Sequence, residues 1–112
     1  MRVLLEQIVQ RLRPFGISRI LVFGSAAHGE QTDDDSDIDL AVVLDTRESF
    51  GSYDERLAAK SRLRAALLDI NEEVPIDILL YTEKEFQELS KETGFLASEV
   101  VEKGQTLYAK AG

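Results

Sequence analysis

The sequence predicts an α/β (α+β) domain, a mixed β-sheet packed with helices. Three observations carry that expectation. Arg19–Phe23, Asp37–Leu44 and Pro75–Tyr81 are short, dense apolar runs of the kind that form buried strands. The segments around them place apolar residues at helical spacing instead. Turn and cap signals separate the two kinds with no linker or repeat, so residues 1–112 read as a single domain.

Taken in order, Val3–Leu12 sets Leu4, Leu5, Ile8, Val9 and Leu12 on one helical face, and Pro14 and Gly16 end it. The first strand follows at Arg19–Phe23 and runs directly into Gly24-Ser25. Ala26–Glu30 suits a short helical turn and Gln31–Ser36 a polar loop. After the second strand and a loop at Asp45–Gly51, Tyr53–Ile70 reads as the longest helix. Its expected core side is Leu57, Leu63, Ala66, Leu67 and Ile70. Pro75 sits at the edge of the third strand, where a missing N–H is tolerated. Thr82 with Glu85 is a capping box, opening a helix through Phe86 and Leu89. A last helix is expected over Phe95–Glu102, stopped by Gly104, with Thr106–Tyr108 as a short strand or ordered coil. Phe86, Leu89, Phe95, Leu96 and Val100 read as core rather than partner surface.

Composition narrows the function classes. With 13 Lys and Arg against 21 Asp and Glu, the net charge is −8. A stable grip on duplex DNA or RNA needs a basic patch, and none stands out, so long nucleic acid is disfavoured. There is no cysteine, which removes disulfide and thiolate chemistry. No apolar run spans a bilayer and the N-terminus is a weak signal-peptide match, so no membrane is expected and the cytoplasm is the expected compartment.

Three places carry chemistry. Gly24 after a buried strand lets backbone approach a ligand closely, and a helical turn starting at Ser25 would aim free N–H groups at a phosphate. The bland alternative is a strand-to-helix turn with Ser25 as its cap. Asp37 and Asp39 are two apart on a strand, so both carboxylates project from one face, roughly 7 Å apart. Divalent cations relieve such a repulsive pair, although an acidic strand entrance looks the same. Asp77 lies between Ile76 and Ile78 in a strand expected to be buried, where a lone carboxylate needs a cation or a basic partner from a helix. Asp33, Asp35 and Asp37 imitate the start of a calcium loop, but Ile38 and Leu44 fall where Gly and Glu are required. Asp33, Asp34 and Asp35 therefore read as a solvated loop. His28, the sole histidine, reads as a loop residue, and no Walker A lysine follows Gly24.

Leu21-Val22-Phe23-Gly24-Ser25, eleven residues and then Asp37-Ile38-Asp39-Leu40 together resemble the GS…DxD signature of the DNA polymerase beta nucleotidyltransferase superfamily. The length and layout are similar to its minimal nucleotidyltransferases. The likeness takes in the Asp77 strand and the closing segment Glu102–Tyr108. The resemblance implies a polymerase-beta-like fold and an enzyme moving a nucleoside monophosphate from ATP or another NTP to a hydroxyl. It implies that Gly24 and Ser25 bind the triphosphate, that Asp37 and Asp39 hold two Mg²⁺ ions, and that Asp77 binds the catalytic metal and helps deprotonate the attacking hydroxyl. It implies an antitoxin whose partner is a HEPN-type toxin, adenylylated on tyrosine, with an oligomer formed between the two. Ala26 and His28 stand where many relatives carry Arg. Two other readings compete: a binding module that masks its partner without catalysis, and a small-molecule nucleotidyltransferase, which usually brings an extra helical domain.

Overall fold

In a computed structural model, the structure describes residues 2–24, 37–94 and 97–110. Helix α1 (Arg2–Leu12) is followed by a tight turn at Arg13–Phe15 and by Gly16, whose φ of 72° reverses the chain into strand β1 (Ile17–Phe23). Strand β2 (Ile38–Leu44), helices α2 (Tyr53–Ala66) and α3 (Leu68–Glu73), strand β3 (Ile76–Thr82) and helix α4 (Glu83–Ser90) follow. A π-helical turn (Ala97–Glu102) leads into strand β4 (Gln105–Ala109). The expected α/β (α+β) mixed sheet is therefore observed, with the tail forming a true strand.

The four strands lie in the order β3-β2-β1-β4. β2 pairs antiparallel with β1 and parallel with β3, and β4 pairs antiparallel with β1. Side-chain alternation sorts the sheet into two faces. Ile38, Leu40 and Val42 pack with Ile20, Val22, Ile76 and Ile78 beneath α1, α2 and α3. Ala41 and Val43 pack with Leu21, Phe86, Leu89, Ala97 and Val100 beneath α4 and the π-helical turn. Phe86, Leu89 and Val100 are core as expected, whereas Phe95 and Leu96 lie outside the described residues.

Two expectations about α2 fail. The helix expected to run unbroken to Ile70 stops at Ala66, because Leu67 leaves helical geometry at φ −109°, ψ 10°. Arg11 of α1 secures the break. Its guanidinium donates to the Ala66 carbonyl at 3.1 Å and grips the Asp69 carboxylate at 2.7 and 2.9 Å. That pairing holds the Asp69 carboxyl well down, to about 2. The second failure is Leu57, which is 47% exposed instead of core; Ala59 and Leu63 take the buried face. The apolar count of a helix says how much it can bury, while neighbouring elements decide which residues they cover.

β3 is an edge strand, and two side chains blunt its outer edge. The Asn71 amide oxygen accepts from the Ile76 N–H at 2.7 Å, and the Arg56 guanidinium donates to the Leu80 carbonyl at 2.6 Å. Arg56 also forks onto Glu85 at 3.0 and 2.6 Å and stacks 4.6 Å from the centre of the Phe50 ring. Glu85 in turn completes the Thr82 capping box. One arginine thus ties α2 to β3 and α4. Burial raises the Glu85 carboxyl, but the hydrogen bonds from Arg56 and the Thr82 N–H outweigh it and leave the pKa below the usual carboxylate value.

Replacing Arg56 with Met leaves Glu85 and the Leu80 carbonyl without their charged partner, at a cost of about 2 kcal/mol in urea unfolding. Because the folded pKa of Glu85 is depressed, its stabilisation is complete above the unfolded carboxylate value and is lost as pH falls through the folded one. The gap between wild type and Arg56→Met is therefore expected to shrink on acidification.

Candidate active site

The site forms where the C-terminal end of β1 meets the N-terminal ends of β2 and β3. That geometry follows from the pairing pattern. Phe23 stands opposite Asp39 across the antiparallel pair, and Asp39 stands opposite Asp77 across the parallel one. The Ile38 N–H bonds to the Pro75 carbonyl at 2.9 Å, which pins the register at this end. Asp39 and Asp77 share the sheet face of Leu79, Ala41 and Val43, but they lie beyond the cover of α4.

Gly24 follows Phe23 at φ 71°, a left-handed conformation that residues with a Cβ avoid. A Cβ built there would stand 2.6 Å from Asp39 Oδ2. The missing side chain is thus required twice, by backbone conformation and by the approach of the Asp39 carboxylate.

The charges at this end repel. Asp39 is held above the ordinary carboxylate pKa, first by burial and then by the negative charges of Asp77 and Asp37. Like charges in facing register on paired strands are destabilising.

The sequence-predicted residues are brought together in part. Gly24, Asp39 and Asp77 are neighbours across three strands, and Asp37 adds its field from just before β2. Ser25 lies outside the described residues, as do Ala26, His28 and Asp33–Asp35. One premise about Asp77 is corrected: it is exposed. Its neighbours Ile76 and Ile78 are buried on the opposite face, and strand alternation turns Asp77 to the uncovered one. Its carboxylate therefore needs no buried partner.

Among the described residues, no three carboxylate or imidazole groups converge closely enough to cage a metal ion. Mg²⁺ does not require such a cage. It commonly takes one or two carboxylates and completes its shell with water and substrate phosphates. The mutually repelling pair Asp39 and Asp77, beside the opening that Gly24 leaves, fits that kind of site. Sequence reasoning missed Arg56, which braces the strand carrying Asp77 without touching the site. No local signal marks it, because its partners lie far along the chain.

Residues 3–110 match the family model described as nucleotidyltransferase domain. A crystal structure of a toxin–antitoxin with AMP-PNP is similar at 25% identity and a TM-score of 0.58, covering 95% of this chain and 73% of that one. A toxin–antitoxin MntA-HpeT mutant shares the fold at 22% identity and a TM-score of 0.56, with the same coverage. No curated protein matches.

Two outcomes follow from the geometry. Gly24→Ala is expected to cost about 1–2 kcal/mol from the left-handed backbone alone and to push the Asp39 carboxylate aside; urea unfolding and a nucleotide-binding titration read the two effects. Asp39→Asn removes the repelled charge. A group whose folded pKa is raised is favourable below its unfolded pKa and loses that as pH rises through the folded value. The variant is therefore expected to melt a few degrees higher than wild type near neutral pH, with the gain vanishing in acid. Solvent screening at this partly exposed site keeps it small.

Proposed function

The chain belongs to the nucleotidyltransferase domain family, and we propose that it is a Mg²⁺-dependent enzyme that transfers AMP from ATP to a tyrosine hydroxyl of a HEPN-type toxin, acting as the antitoxin in the cytoplasm. The observation that carries the reading is the alignment of Gly24, Asp39 and Asp77 side by side at one end of the sheet. The toxin–antitoxin character of the similar structures, one of them with AMP-PNP, supports a nucleotide substrate and a toxin partner.

Each residue has a defined task in this proposal. Gly24 lets the main chain approach the triphosphate, and Ser25 donates its hydroxyl to the outer phosphates. Asp37, Asp39 and Asp77 would hold two Mg²⁺ ions. When bound, those ions would neutralise charge on the entering and leaving oxygens of an in-line displacement. The Asp77 carboxylate accepts the proton of the acceptor hydroxyl, whose oxygen forms a new bond to the α-phosphorus as the bond to pyrophosphate breaks. The products are the adenylylated tyrosine and pyrophosphate. Catalysis of this kind rests on position and electrostatics.

A second reading, stoichiometric masking without catalysis, is favoured by Ala26 and His28 at places where many relatives carry Arg. One experiment separates the two. The chain is incubated with ATP, Mg²⁺ and a candidate HEPN-type toxin, and the toxin's mass is followed. AMP addition by wild type, reduced at least about 100-fold in Asp39→Asn and Asp77→Asn, is the expected result. Neutralisation of the toxin with no added mass, unchanged in those variants, would establish masking instead.

A further inference from the structure

Helix α2 carries an exposed apolar face. Tyr53 is 74% exposed, Leu57 47% and Leu68, at the start of α3, 60%. These are three of the five large exposed apolar residues among the described ones. Tyr53 and Leu57 share one helical stripe of α2 with Lys60 and Arg64, and Leu68, past the break at Leu67, lines the same cavity as Arg64.

The stripe borders a cavity of about 340 Å³ between α2–α3 and β3, lined by Ser61, Arg64, Leu68, Asn71, Ile76 and Ile78. A second cavity, of about 210 Å³, shares Ile78 and continues past Lys60 to Leu79 and Tyr81. Together they follow the edge strand from one sheet face towards the other. Ile76 and Ile78 are the chain neighbours of Asp77, so this groove and the acidic site meet around the free edge of β3.

The charges indicate what would sit there. Among the described residues, Arg11, Arg19, Arg56, Lys103 and Lys110 are engaged in ion pairs; Lys60, Arg62 and Arg64, close together on α2, are in none, and neither are Arg13, Arg47, Lys84 and Lys91 elsewhere. Lys60 and Arg64, unneutralised among exposed leucines on a protein of net charge −8, complement an acidic surface. A second copy docked face to face across a two-fold axis would oppose cation to cation. Strand addition is obstructed, because Asn71 and Arg56 occupy the Ile76 and Leu80 ends of the outer edge. An amphipathic helix laid along α2 has neither difficulty.

We propose that the α2 stripe and its groove dock an acidic amphipathic helix of the protein that receives the nucleotide, bringing its hydroxyl around the β3 edge to Asp77. The inference rests on the reading that the acceptor is a protein. The test uses the HEPN-type partner assigned by that reading, titrated by calorimetry into wild type, into Leu57→Glu/Leu68→Glu and into Lys60→Gln/Arg64→Gln. The leucine variant is expected to bind at least tenfold more weakly. The lysine–arginine variant is expected to bind more weakly at low salt and to lose much of the salt dependence. Both should retain wild-type melting and ATP binding, since none of the four residues belongs to the site.

A toxin complex that survives the leucine substitutions in a folded protein overturns the docking face and leaves the protein acceptor standing. No complex with wild type overturns both. Self-association of wild type that the leucine substitutions abolish would assign the face to a second copy, against the proposal.

Discussion

The placement of the site depends on the register of β2. This strand is buried on both faces, with Ile38 and Leu40–Val43 inaccessible to solvent. Its two neighbours run in opposite senses, β1 antiparallel and β3 parallel, and this mixed pairing brings one end of β1 together with the starts of both others. A slip of one residue would turn Asp39 into the core and Leu40 out of it. The apolar cost of that slip fixes the register, and the register places Asp39 between Gly24 and Asp77. Core packing and site geometry are therefore consequences of the same pairing.

The acidic cluster works against the fold that holds it. Asp39 sits beside two further carboxylates while partly withdrawn from water, and its raised pKa measures the disfavour. The scaffold offsets this with ties elsewhere. Arg11 locks the α2–α3 break to α1, and Arg56 binds α2, β3 and α4 into one unit. Neither arginine faces the acids, so the local charge remains negative and available to cations.

How much of this was legible in the sequence depended on how local the cause was. The Thr82 capping box, the chain reversal after Pro14 and the strand character of Arg19–Phe23 rest on residues a few positions apart, and they appear as expected. The GS…DxD spacing was legible for the same reason, and the family match is consistent with it. Non-local causes were not legible. The α2 helix ends where Arg11, on another helix, donates to the Ala66 carbonyl. Leu57 is exposed because no element covers it. Asp77 looked buried because its neighbours are apolar, but alternation sends those neighbours to one face and the aspartate to the other, which is open at this end.

The asymmetry of the sheet bears on how the proposed reaction is arranged. Asp39 has Gly24 on one flank and Asp77 on the other. On the Gly24 flank, β1 is itself covered by β4, so the sheet continues past the proposed phosphate position. Among the described residues, no further strand lies on the Asp77 flank. A folded acceptor needs more room than a nucleotide, and β3 is the side on which the described sheet ends. The exposed stripe of α2 lies on that same side, and a surface that held a partner there would bring its hydroxyl to the one carboxylate of the three that stands on the edge.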